Sequence, residues 1–300
     1  MNVIDTELFS YLEKNSIEFF SPINTFELVS FRVGGKGKIV IYPSNISQLC
    51  DIISIVKDQK FILLGRGTNC YFSSSYFDGV IVVTSKLCNI EVEDEVITSE
   101  CGSLINSVCK KALEYDLSGF EFAFGIPGTI GGGVNMNASA FGGSFSDILL
   151  SSTVLDMRSG KILEINSENH FFDVKKSIFK NEPLCLLKSR FKLKHGEGNE
   201  IKSKMYDFLQ KRASSQPLNL PNAGSTFVKP KNAHASYLVD KAGLKGYTVG
   251  GAQVSTKHAG FIVNVGNATS NDVRELIGHI RNEVFKKFSI KLEEEIIYLE

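Results

Sequence analysis

The sequence predicts an α+β protein with more than one hydrophobic core. Its 300 residues exceed what a single core usually serves, so two or three domains are expected. Apolar residues make up 43% of the chain and charged residues 22%, which is typical of a chain that buries a sizeable core. Helical and strand-like patterns alternate along the chain, and this alternation indicates mixed layers of helices and strands.

Each element is predicted from the spacing of its apolar residues. Apolar residues three or four positions apart predict helices at 10–20, 44–58, 103–115, 201–214, 233–242 and 271–288. Short apolar runs predict strands at 38–43, 61–64, 79–83, 96–98, 152–157, 162–165, 184–193, 247–254, 260–265 and 290–299. Ser44 and Ser270 stand at the expected N-caps of the second and the last of these helices.

The most unusual stretch is the glycine-rich segment 119–143, which contains eight glycines. Such density suits a backbone that turns with positive φ or lies close to a ligand. Pro127 and Gly128 predict a tight turn, and 131–137 is expected to begin a short helix with unpaired amides. Unpaired amides at a helix start bind anionic oxygen, most simply a phosphate. The alternative is a purely structural turn.

A second glycine loop follows the predicted strand at 61–64. The loop reads Gly65-Arg66-Gly67-Thr68-Asn69, and its small residues expose backbone amides that suit a phosphate. It is not a dinucleotide-binding fingerprint of the Rossmann type, because Cys70 stands where the third glycine is required, and no Walker motif follows. Two such loops about sixty residues apart favour a ligand with a long polyphosphate body.

Charge and composition exclude several classes of function. The 33 basic residues balance the 33 acidic ones, so the overall charge favours neither nucleic acid nor an anionic membrane as a partner. No apolar run approaches the length of a membrane span, and the first twenty residues lack the pattern of a signal peptide, so a cytoplasmic protein is expected. The six cysteines form no Cys-x-x-Cys pair and the five histidines have no metal-ligand spacing, so no metal site is predicted.

Five motifs occur in one order along the chain and together carry a resemblance. They are Gly65 to Asn69, Gly125 to Gly132 (GIPGTIGG), Met136 to Ala138 (MNA), Ala223 to Phe227 (AGSTF) and Gly250 to Phe261 (GGAQVSTKHAGF). In this combination the sequence resembles the UDP-N-acetylenolpyruvoylglucosamine reductase (MurB) family, from about residue 24 to residue 295. The short distance from Ser225 to the last residue matches the shorter, type II form of that family.

The resemblance implies a fold and a reaction. The fold is a two-part FAD-binding region like that of vanillyl-alcohol oxidase, the PCMH type, followed by a smaller α+β substrate domain. The expected boundaries are 1–86 and 87–213 for the FAD-binding parts and 214–300 for the substrate domain, with the last strand placed either there or against the second part. NADPH would reduce the bound FAD, which would reduce the enolpyruvyl ether of a UDP-sugar to UDP-N-acetylmuramate for peptidoglycan synthesis. A monomer is expected.

The resemblance also assigns roles to residues. Ser225 matches the serine that protonates the substrate, Glu295 matches the catalytic glutamate, and Lys175 stands in place of the catalytic arginine. Val174 replaces the tyrosine before that arginine. The residues expected to bind FAD are Gly65, Arg66, Gly67, Thr68, Asn69, Ile126, Pro127, Gly128, Thr129, Gly132, Asn137 and Gly142. Those expected to bind the substrate are Arg212, Gln216, Lys257 and His258.

The residues by themselves leave other interpretations open. A serine beside glycine is more often a turn residue, and the acidic run at 293–295 is typical of a solvated face. Lysine keeps the positive charge of arginine but not the planar fork that binds a carboxylate with two hydrogen bonds. The departure at Lys175 therefore also fits an FAD-dependent oxidoreductase with another substrate, or a flavin- or UDP-sugar-binding protein without catalysis.

Overall fold

The structure, a computed structural model, describes residues 3–231 and 233–300, so the first two residues of the predicted domain 1–86 lie outside it. The chain forms two compact units, each built from discontinuous segments. Unit 1 comprises the residues up to Ser21, Ile39–Arg66 and Asp78–Gln210. Unit 2 comprises Pro22–Lys38, Gly67–Phe77 and Lys211–Glu300. The three continuous domains expected from the sequence stay a prediction.

The described residues contain seven α-helices and twenty strands. The helices are α1 Val3–Lys14, α2 Ile46–Val56, α3 Ile105–Glu114, α4 Ile130–Asn135, α5 Gly198–Ser215, α6 Ala235–Lys241 and α7 Ser270–Phe288. The strands are β1 Glu18–Phe20, β2 Ile23–Asn24, β3 Lys36–Tyr42, β4 Phe61–Leu64, β5 Cys70–Phe72, β6 Tyr76–Val83, β7 Ile90–Glu93, β8 Val96–Glu100, β9 Leu117–Ser118, β10 Ser139–Ala140, β11 Gly143–Ser144, β12 Leu149–Asp156, β13 Ile162–Asn166, β14 Leu184–Lys192, β15 Lys194–His195, β16 Asn222–Ser225, β17 Thr248–Val249, β18 Ala252–Val254, β19 Phe261–Asn264 and β20 Ile297–Leu299. No helix in these described ranges combines the length and the apolar character that a membrane span needs.

In unit 1, α2 lies between β3 and β4 in the sequence, as the predicted strand, helix and strand require. Four apolar residues at helical spacing, Leu49, Ile52, Ile53 and Val56, make the buried face of α2. Its N-cap is Asn45, whose side chain accepts a hydrogen bond from Gln48 N, so the prediction of Ser44 as the cap was wrong by one residue. β4 pairs parallel with β6, and the chain leaves β4 directly into the first glycine loop.

A five-stranded antiparallel sheet, in the order β13-β12-β14-β8-β7, forms the other layer of unit 1. Beside it lies a cluster of buried aromatic rings, in which the ring centroids of Phe120 and Phe191 are 4.9 Å apart and those of Phe120 and Phe145 are 5.9 Å apart. These edge-to-face contacts stabilise both ends of the glycine-rich segment, because Phe120 lies at its start and Phe145 follows its end.

Unit 2 is built on the antiparallel sheet β16-β19-β18-β17. The predicted strand at 247–254 is a hairpin of two short strands, β17 and β18. The apolar stripe of α7, which consists of Val273, Leu276, Ile277, Ile280 and Val284, is buried in the core of this unit as the helical spacing predicted. A separate parallel pair joins β20 to β5, with Ile297 opposite Cys70.

Two predictions near the ends of the chain were wrong. The helix expected to continue through residues 16–20 ends at Lys14, and Glu18–Phe20 pairs antiparallel with β3. The strand expected at 290–299 is regular only over Ile297–Leu299. Before it, Glu294 forms an isolated antiparallel bridge with Phe227. Both errors arise where short apolar runs fit helix and strand alike, so tertiary pairing decides.

The start of α7 shows how a local cap is made. Thr269, not the predicted Ser270, is the N-cap: its hydroxyl accepts from Asp272 N at 3.1 Å, and Asp272 Oδ2 accepts from Thr269 N at 2.8 Å. The backbone bond from Thr269 holds the pKa of the Asp272 carboxyl below its ordinary value. The cap is therefore complete above that ordinary pKa and weakens as the pH falls through the lower pKa of the folded state.

Replacing Thr269 by alanine removes the hydroxyl that caps α7, and we expect the free energy of unfolding to fall by about 1 kcal/mol. Ser270→Ala is the matched control, because it removes the neighbouring hydroxyl and leaves the capping bonds of Thr269 in place. Urea-induced unfolding followed by circular dichroism measures both variants. A larger loss for Ser270→Ala would contradict the assignment of the cap to Thr269.

Candidate active site

A cavity of about 250 Å³ lies inside unit 1, and both glycine loops contribute to its wall. Gly65 comes from the first loop, while Thr129, Gly131 and Gly132 come from the second. The remaining lining residues are Leu63, Leu64, Thr84, Cys101, Asn135, Phe179, Leu184, Cys185 and Leu186. No lining residue carries a charge, so a bound anion would meet backbone and side-chain dipoles here rather than a basic group.

The two loops contact one another at Gly65. A Cβ atom at this position would lie 2.3 Å from Oγ1 of Thr129, so only glycine permits the observed approach. Thr129 is 2% exposed and caps α4, accepting a hydrogen bond from Gly132 N at 3.3 Å. Gly65 and Thr129 are about sixty positions apart in the sequence, and the fold brings both to the wall of the same cavity.

The helix expected within 131–137 is present as α4, but the prediction that its first amides are unpaired was wrong. Ile130 N donates to Ser103 O at 2.9 Å, and Gly131 N donates to Cys101 O at 2.7 Å. The next amide, that of Gly132, donates to Thr129 as the cap bond. The first turn of α4 is therefore bonded to the residues that precede α3. Its glycines form part of the cavity wall and allow a ligand to lie close to the backbone.

The cavity fits part of a flavin dinucleotide. Its wall combines apolar side chains from β4, β14 and Phe179 with the polar groups of Thr84, Thr129 and Asn135 and the glycine backbone. Such a mixture suits a ligand with flat apolar rings and a polar diphosphate. Where FAD is bound, the residues available to contact it in unit 1 are therefore Gly65, Thr129 and Gly132 from the predicted set, together with the wall formed by the strands.

The two cysteines of the wall are buried thiols. Burial raises the pKa of Cys101 to about 12 and that of Cys185 well above its ordinary value. Both groups are therefore neutral at physiological pH and line the cavity as small apolar residues. Cys70, beside the first glycine loop, is also buried, and its pKa is raised to about 12. All three cysteines are free and buried.

Other residues of the predicted FAD set lie on the same segment but do not line the cavity. Gly128 O accepts from Ile105 N at 3.1 Å, which holds the tight turn of Ile126, Pro127 and Gly128 against the start of α3. Gly142 has φ of +89°, and a Cβ there would meet nothing within 4 Å, so backbone conformation rather than space favours glycine.

The first loop continues past Gly65 into the second unit. Arg66 is exposed and ends one segment of unit 1, whereas Gly67, Thr68 and Asn69 belong to unit 2. Gly67 has φ of +61°, and its carbonyl accepts from Ser30 N at 2.9 Å. The loop is thus held in unit 2 by backbone bonding.

Lys175 lies in a tight turn of unit 1. Asp173 and Lys176 exchange backbone hydrogen bonds of 3.1 and 3.2 Å, which leaves Val174 and Lys175 as the two residues of the turn. Lys175 has φ of +58° and is half-buried, whereas Val174 is 57% exposed. The Lys175 side chain is therefore the more enclosed of the two.

Two hydrogen bonds fasten this turn to the second glycine loop. Ser177 Oγ donates to Asn135 O at 2.7 Å, and Asn137 Nδ2 donates to Asp173 O at 3.3 Å. Asn135 lines the cavity, so the structure places the turn of Lys175 next to the second glycine loop. The Asn137 side chain, predicted to bind FAD, also accepts from Ser146 N at 3.0 Å and so holds its own loop together.

In unit 2, Ser225 ends β16 beside a glycine that the backbone requires. Gly224 has φ of +75°, and its N–H donates to Asn222 Oδ1 at 3.0 Å. The register between β16 and β19 shifts between Asn222 and Ser225, which pairs with Phe261. This irregularity presents Ser225 at the end of a strand, where side chains commonly serve function.

Thr226 connects the strand of Ser225 to the segment of Glu295. Its carbonyl accepts from Glu295 N at 2.9 Å and from Ile296 N at 3.4 Å. Its own N–H donates to Gly260 O at 2.8 Å, and its hydroxyl accepts from Ile262 N at 3.2 Å. Two predicted catalytic residues that are far apart in the sequence therefore lie on hydrogen-bonded segments.

The three acidic residues at 293–295 make different contacts. Glu294 pairs with Arg281 at 3.0 Å, and Glu293 accepts from Val228 N through its carbonyl at 2.9 Å. Glu295 is half-buried, which separates it from a fully solvated acidic face.

The residues predicted to bind the substrate fall into two places in unit 2. Arg212 is 7% exposed and lies one helical turn before Gln216. The N–H of Gln216 donates to Arg212 O at 2.8 Å. Lys257 Nζ donates to Ala213 O at 2.6 Å, so it lies at the same end of α5. Burial lowers the pKa of the Arg212 guanidinium.

The fourth residue, His258, lies closer to the strand of Ser225. Its Nδ1 accepts from Gly260 N at 3.1 Å, and burial lowers its pKa, so the imidazole is neutral with its proton on Nε2 at pH 7. Gly260 in turn accepts from Thr226 N. His258 is therefore two hydrogen bonds from the backbone next to Ser225.

Sequence reasoning missed most of the residues in the wall of the cavity that lie outside the glycine loops. Leu63, Leu64, Thr84, Phe179 and the residues of β14 carry no motif. For all of them except Phe179, the only sequence signal is membership of a predicted strand or a position just beyond one, which core residues share; Phe179 has no such signal. Groups of three or more histidines, cysteines or acids that could hold a metal are absent among the residues the structure describes.

Comparisons with known proteins agree with this arrangement. The family model described as UDP-N-acetylenolpyruvoylglucosamine reductase, C-terminal domain, matches residues 216–299, and the model described as FAD binding domain matches residues 37–166. The second match covers both glycine loops and confirms FAD as the cofactor.

Curated relatives and a solved structure extend the match to nearly the whole chain. The UDP-N-acetylenolpyruvoylglucosamine reductase of Caldicellulosiruptor saccharolyticus is 40% identical over 292 residues, which cover 96% of this chain and 94% of the relative. That of Clostridioides difficile is 38% identical over 292 residues, covering 96% and 95%. The crystal structure of the reductase (MurB) from Thermus caldophilus superposes with a TM-score of 0.81 at 26% identity, covering 95% of this chain and 99% of that one. This extent of similarity, over both the FAD-binding and the C-terminal parts, shows that the chain belongs to the UDP-N-acetylenolpyruvoylglucosamine reductase family.

Proposed function

We propose that this chain reduces the enolpyruvyl ether of UDP-N-acetylglucosamine to UDP-N-acetylmuramate, with NADPH as the reductant, in peptidoglycan precursor synthesis. When bound, FAD would supply the hydride chemistry that links NADPH to the methylene carbon of the substrate. The observation that carries the proposal is the bonding of Thr226 to Glu295, which brings the segments of the two predicted acid-base residues together within unit 2. Membership of the reductase family supports the same reaction.

The chain's own residues would complete the reduction. Addition of hydride at the methylene carbon requires a proton at the adjacent carbon, and we assign that proton to the hydroxyl of Ser225. A hydroxyl is a weak acid, so its proton transfer needs a strongly basic acceptor and nearby positive charge. Glu295 is the second acid-base group in this proposal, and Lys175 of unit 1 is the third residue to which we assign a catalytic role, as a cation. Arg212, Gln216, Lys257 and His258 remain the proposed substrate-binding residues.

The proposal is tested by an anaerobic experiment in two steps. NADPH is added to the flavin-loaded protein until the absorbance of the flavin bleaches, and the enolpyruvyl UDP-sugar is then added. Return of the absorbance, with UDP-N-acetylmuramate as the product, is the expected result. Bleaching without return would contradict the proposed substrate and favour an oxidoreductase of the same fold with another substrate. The monomeric state and the cytoplasmic location expected from the sequence stay predictions.

The contact between the glycine loops predicts the effect of a single methyl group on the cofactor. Gly65→Ala places a Cβ against Thr129, whose displacement disturbs the cap of α4, and we expect FAD affinity to fall about tenfold or more. Fluorescence titration of the apoprotein with FAD measures this change. Gly278→Ala is the control, because a Cβ there meets nothing within 4 Å on α7. Equal FAD affinity for Gly65→Ala and the unmodified protein would contradict the contact.

Removal of the Ser225 hydroxyl should separate the two half-reactions. In Ser225→Ala we expect reduction of the flavin by NADPH within about twofold of the unmodified rate, and reoxidation by the UDP-sugar slower by about 100-fold, the range of general acid catalysis. Anaerobic stopped-flow absorbance measures both steps. Ser214→Ala, on the exposed end of α5, is the control. Reoxidation at the unmodified rate would remove Ser225 from the proposed role.

The turn of Lys175 contains its own control. Lys175→Met keeps an unbranched side chain that is one atom shorter and removes its charge, and we expect substrate-driven reoxidation to slow by about tenfold to 100-fold, as for a lost hydrogen bond to a charged group. Lys176→Met removes the neighbouring, exposed charge of the same turn and should change the rate less than twofold. Lys175→Arg should retain reoxidation, because it keeps the cation. Equal effects of the two methionine variants would show that only the general charge of the turn matters.

A further inference from the structure

Asn69 contacts the segment of Glu295 through both its side chain and its backbone. Its Nδ2 donates to Glu295 O at 3.1 Å, and its carbonyl accepts from Ile297 N at 2.9 Å. These two bonds bracket Ile296, whose side chain is buried. The last residue of the first glycine loop therefore holds three consecutive residues near the end of the chain.

Thr226 holds the same segment from its other side. Glu295 N donates to Thr226 O at 2.9 Å, while Glu295 O accepts from Asn69. Both backbone polar groups of Glu295 are thus engaged, one by the residue after Ser225 and one by Asn69. With its N–H and C=O both fixed, Glu295 has little freedom in φ and ψ, and the direction of its Cα–Cβ bond is set accordingly.

The side chain of Asn69 completes a bonding pattern that the strands cannot complete. β20 pairs parallel with β5 from Ile297 onward, in the register Ile297 to Cys70. Glu295 lies two residues before this ladder, so its carbonyl needs a donor from outside the two strands. The amide of Asn69, one residue before β5, reaches that carbonyl.

Asn69 itself is held in place. Within unit 2 the first glycine loop is fastened by Ser30 N, which donates to Gly67 O at 2.9 Å. A Cβ at Gly67 would lie 2.3 Å from Leu28 O, so the loop is closely packed at that point. A Cβ at Gly224, beside Ser225, would lie 4.0 Å from Thr68 O. The loop, the strand of Ser225 and the segment of Glu295 therefore meet inside unit 2.

We propose that Asn69 is a positioning residue for Glu295, acting through the backbone of Glu295 rather than as a ligand of FAD, the role that the resemblance implied. This inference rests on the proposed function of Glu295 as an acid-base group. A small displacement of a catalytic group costs rate without loss of binding, and a shift of about 1 Å can cost about 100-fold. Asn69→Ala removes the side-chain donor and leaves the backbone bond to Ile297 intact.

The first test asks which step of the reaction Asn69→Ala slows. We expect substrate-driven reoxidation of the flavin to slow by about tenfold or more, with FAD affinity, the rate of reduction by NADPH and the apparent substrate affinity each within about twofold of the unmodified protein. Asn271→Ala, which removes an exposed asparagine amide on α7 of the same unit, is the matched control. A loss of FAD affinity that accounts for the loss of rate would overturn the inference and make Asn69 a cofactor ligand.

A double-mutant cycle shows whether Asn69 acts through Glu295. In the Glu295→Gln background, Asn69→Ala should slow reoxidation by less than about twofold, because the group that it positions is already replaced. If the double variant is slowed by the product of the two single-variant effects, the inference is overturned. If Glu295→Gln alone leaves the rate unchanged, the proposed role of Glu295 fails instead. The two proposals are therefore contradicted by different results.

Discussion

The backbone of Thr226 is the constraint on which the proposed chemistry in unit 2 depends. Its hydroxyl accepts from Ile262 of β19, its N–H donates to Gly260 just before β19, and its carbonyl accepts from the segment of Glu295. These groups are buried, since Thr226 is 2% exposed, and a buried backbone group without a partner costs about 1–3 kcal/mol. Thr226 therefore connects β19 to the irregular segment that contains Glu295.

Unit 1 has a comparable constraint where its two glycine loops meet. The absence of a side chain at Gly65 allows the approach of Thr129, and Thr129 in turn caps α4. Because the first amides of α4 donate to Ser103 and Cys101, the loop is already satisfied by its own chain. The cavity therefore has a preformed wall, and its glycines serve close packing of backbone as well as approach to a ligand. Preformed walls reduce the ordering that a cofactor must bring about when it binds.

The departure at Lys175 affects the site less through shape than through chemistry. The turn of Val174 and Lys175 is closed by reciprocal backbone bonds and fastened to the second glycine loop by Ser177 and Asn137. None of these four bonds involves the side chain of Lys175. The position of the turn is thus set by the backbone and by neighbouring polar residues, and a lysine in place of an arginine alters what the side chain can bind rather than where the turn lies.

Long periodic elements were predicted well because their signal is local. The buried stripe of α7 and the nine-residue strand β14 follow from spacing alone, whereas residues 16–20 and 290–296 were wrong because short apolar runs do not distinguish helix, strand and irregular segments. The caps at Asn45 and Thr269 were missed by one residue for a related reason. Adjacent polar residues are equally good caps in sequence, and only backbone geometry selects one.

The fold class, the FAD-binding and C-terminal parts and the candidate residues could be predicted from the sequence, because five motifs in one order are specific even where each is weak. Which of these residues come into contact depends on the tertiary structure. Glu295 bonds to Thr226 and Asn69, Gly65 contacts Thr129, and Asn137 holds the turn of Lys175. Such contacts join residues far apart in the chain, and long-range pairing depends on the packing of whole elements rather than on any local pattern.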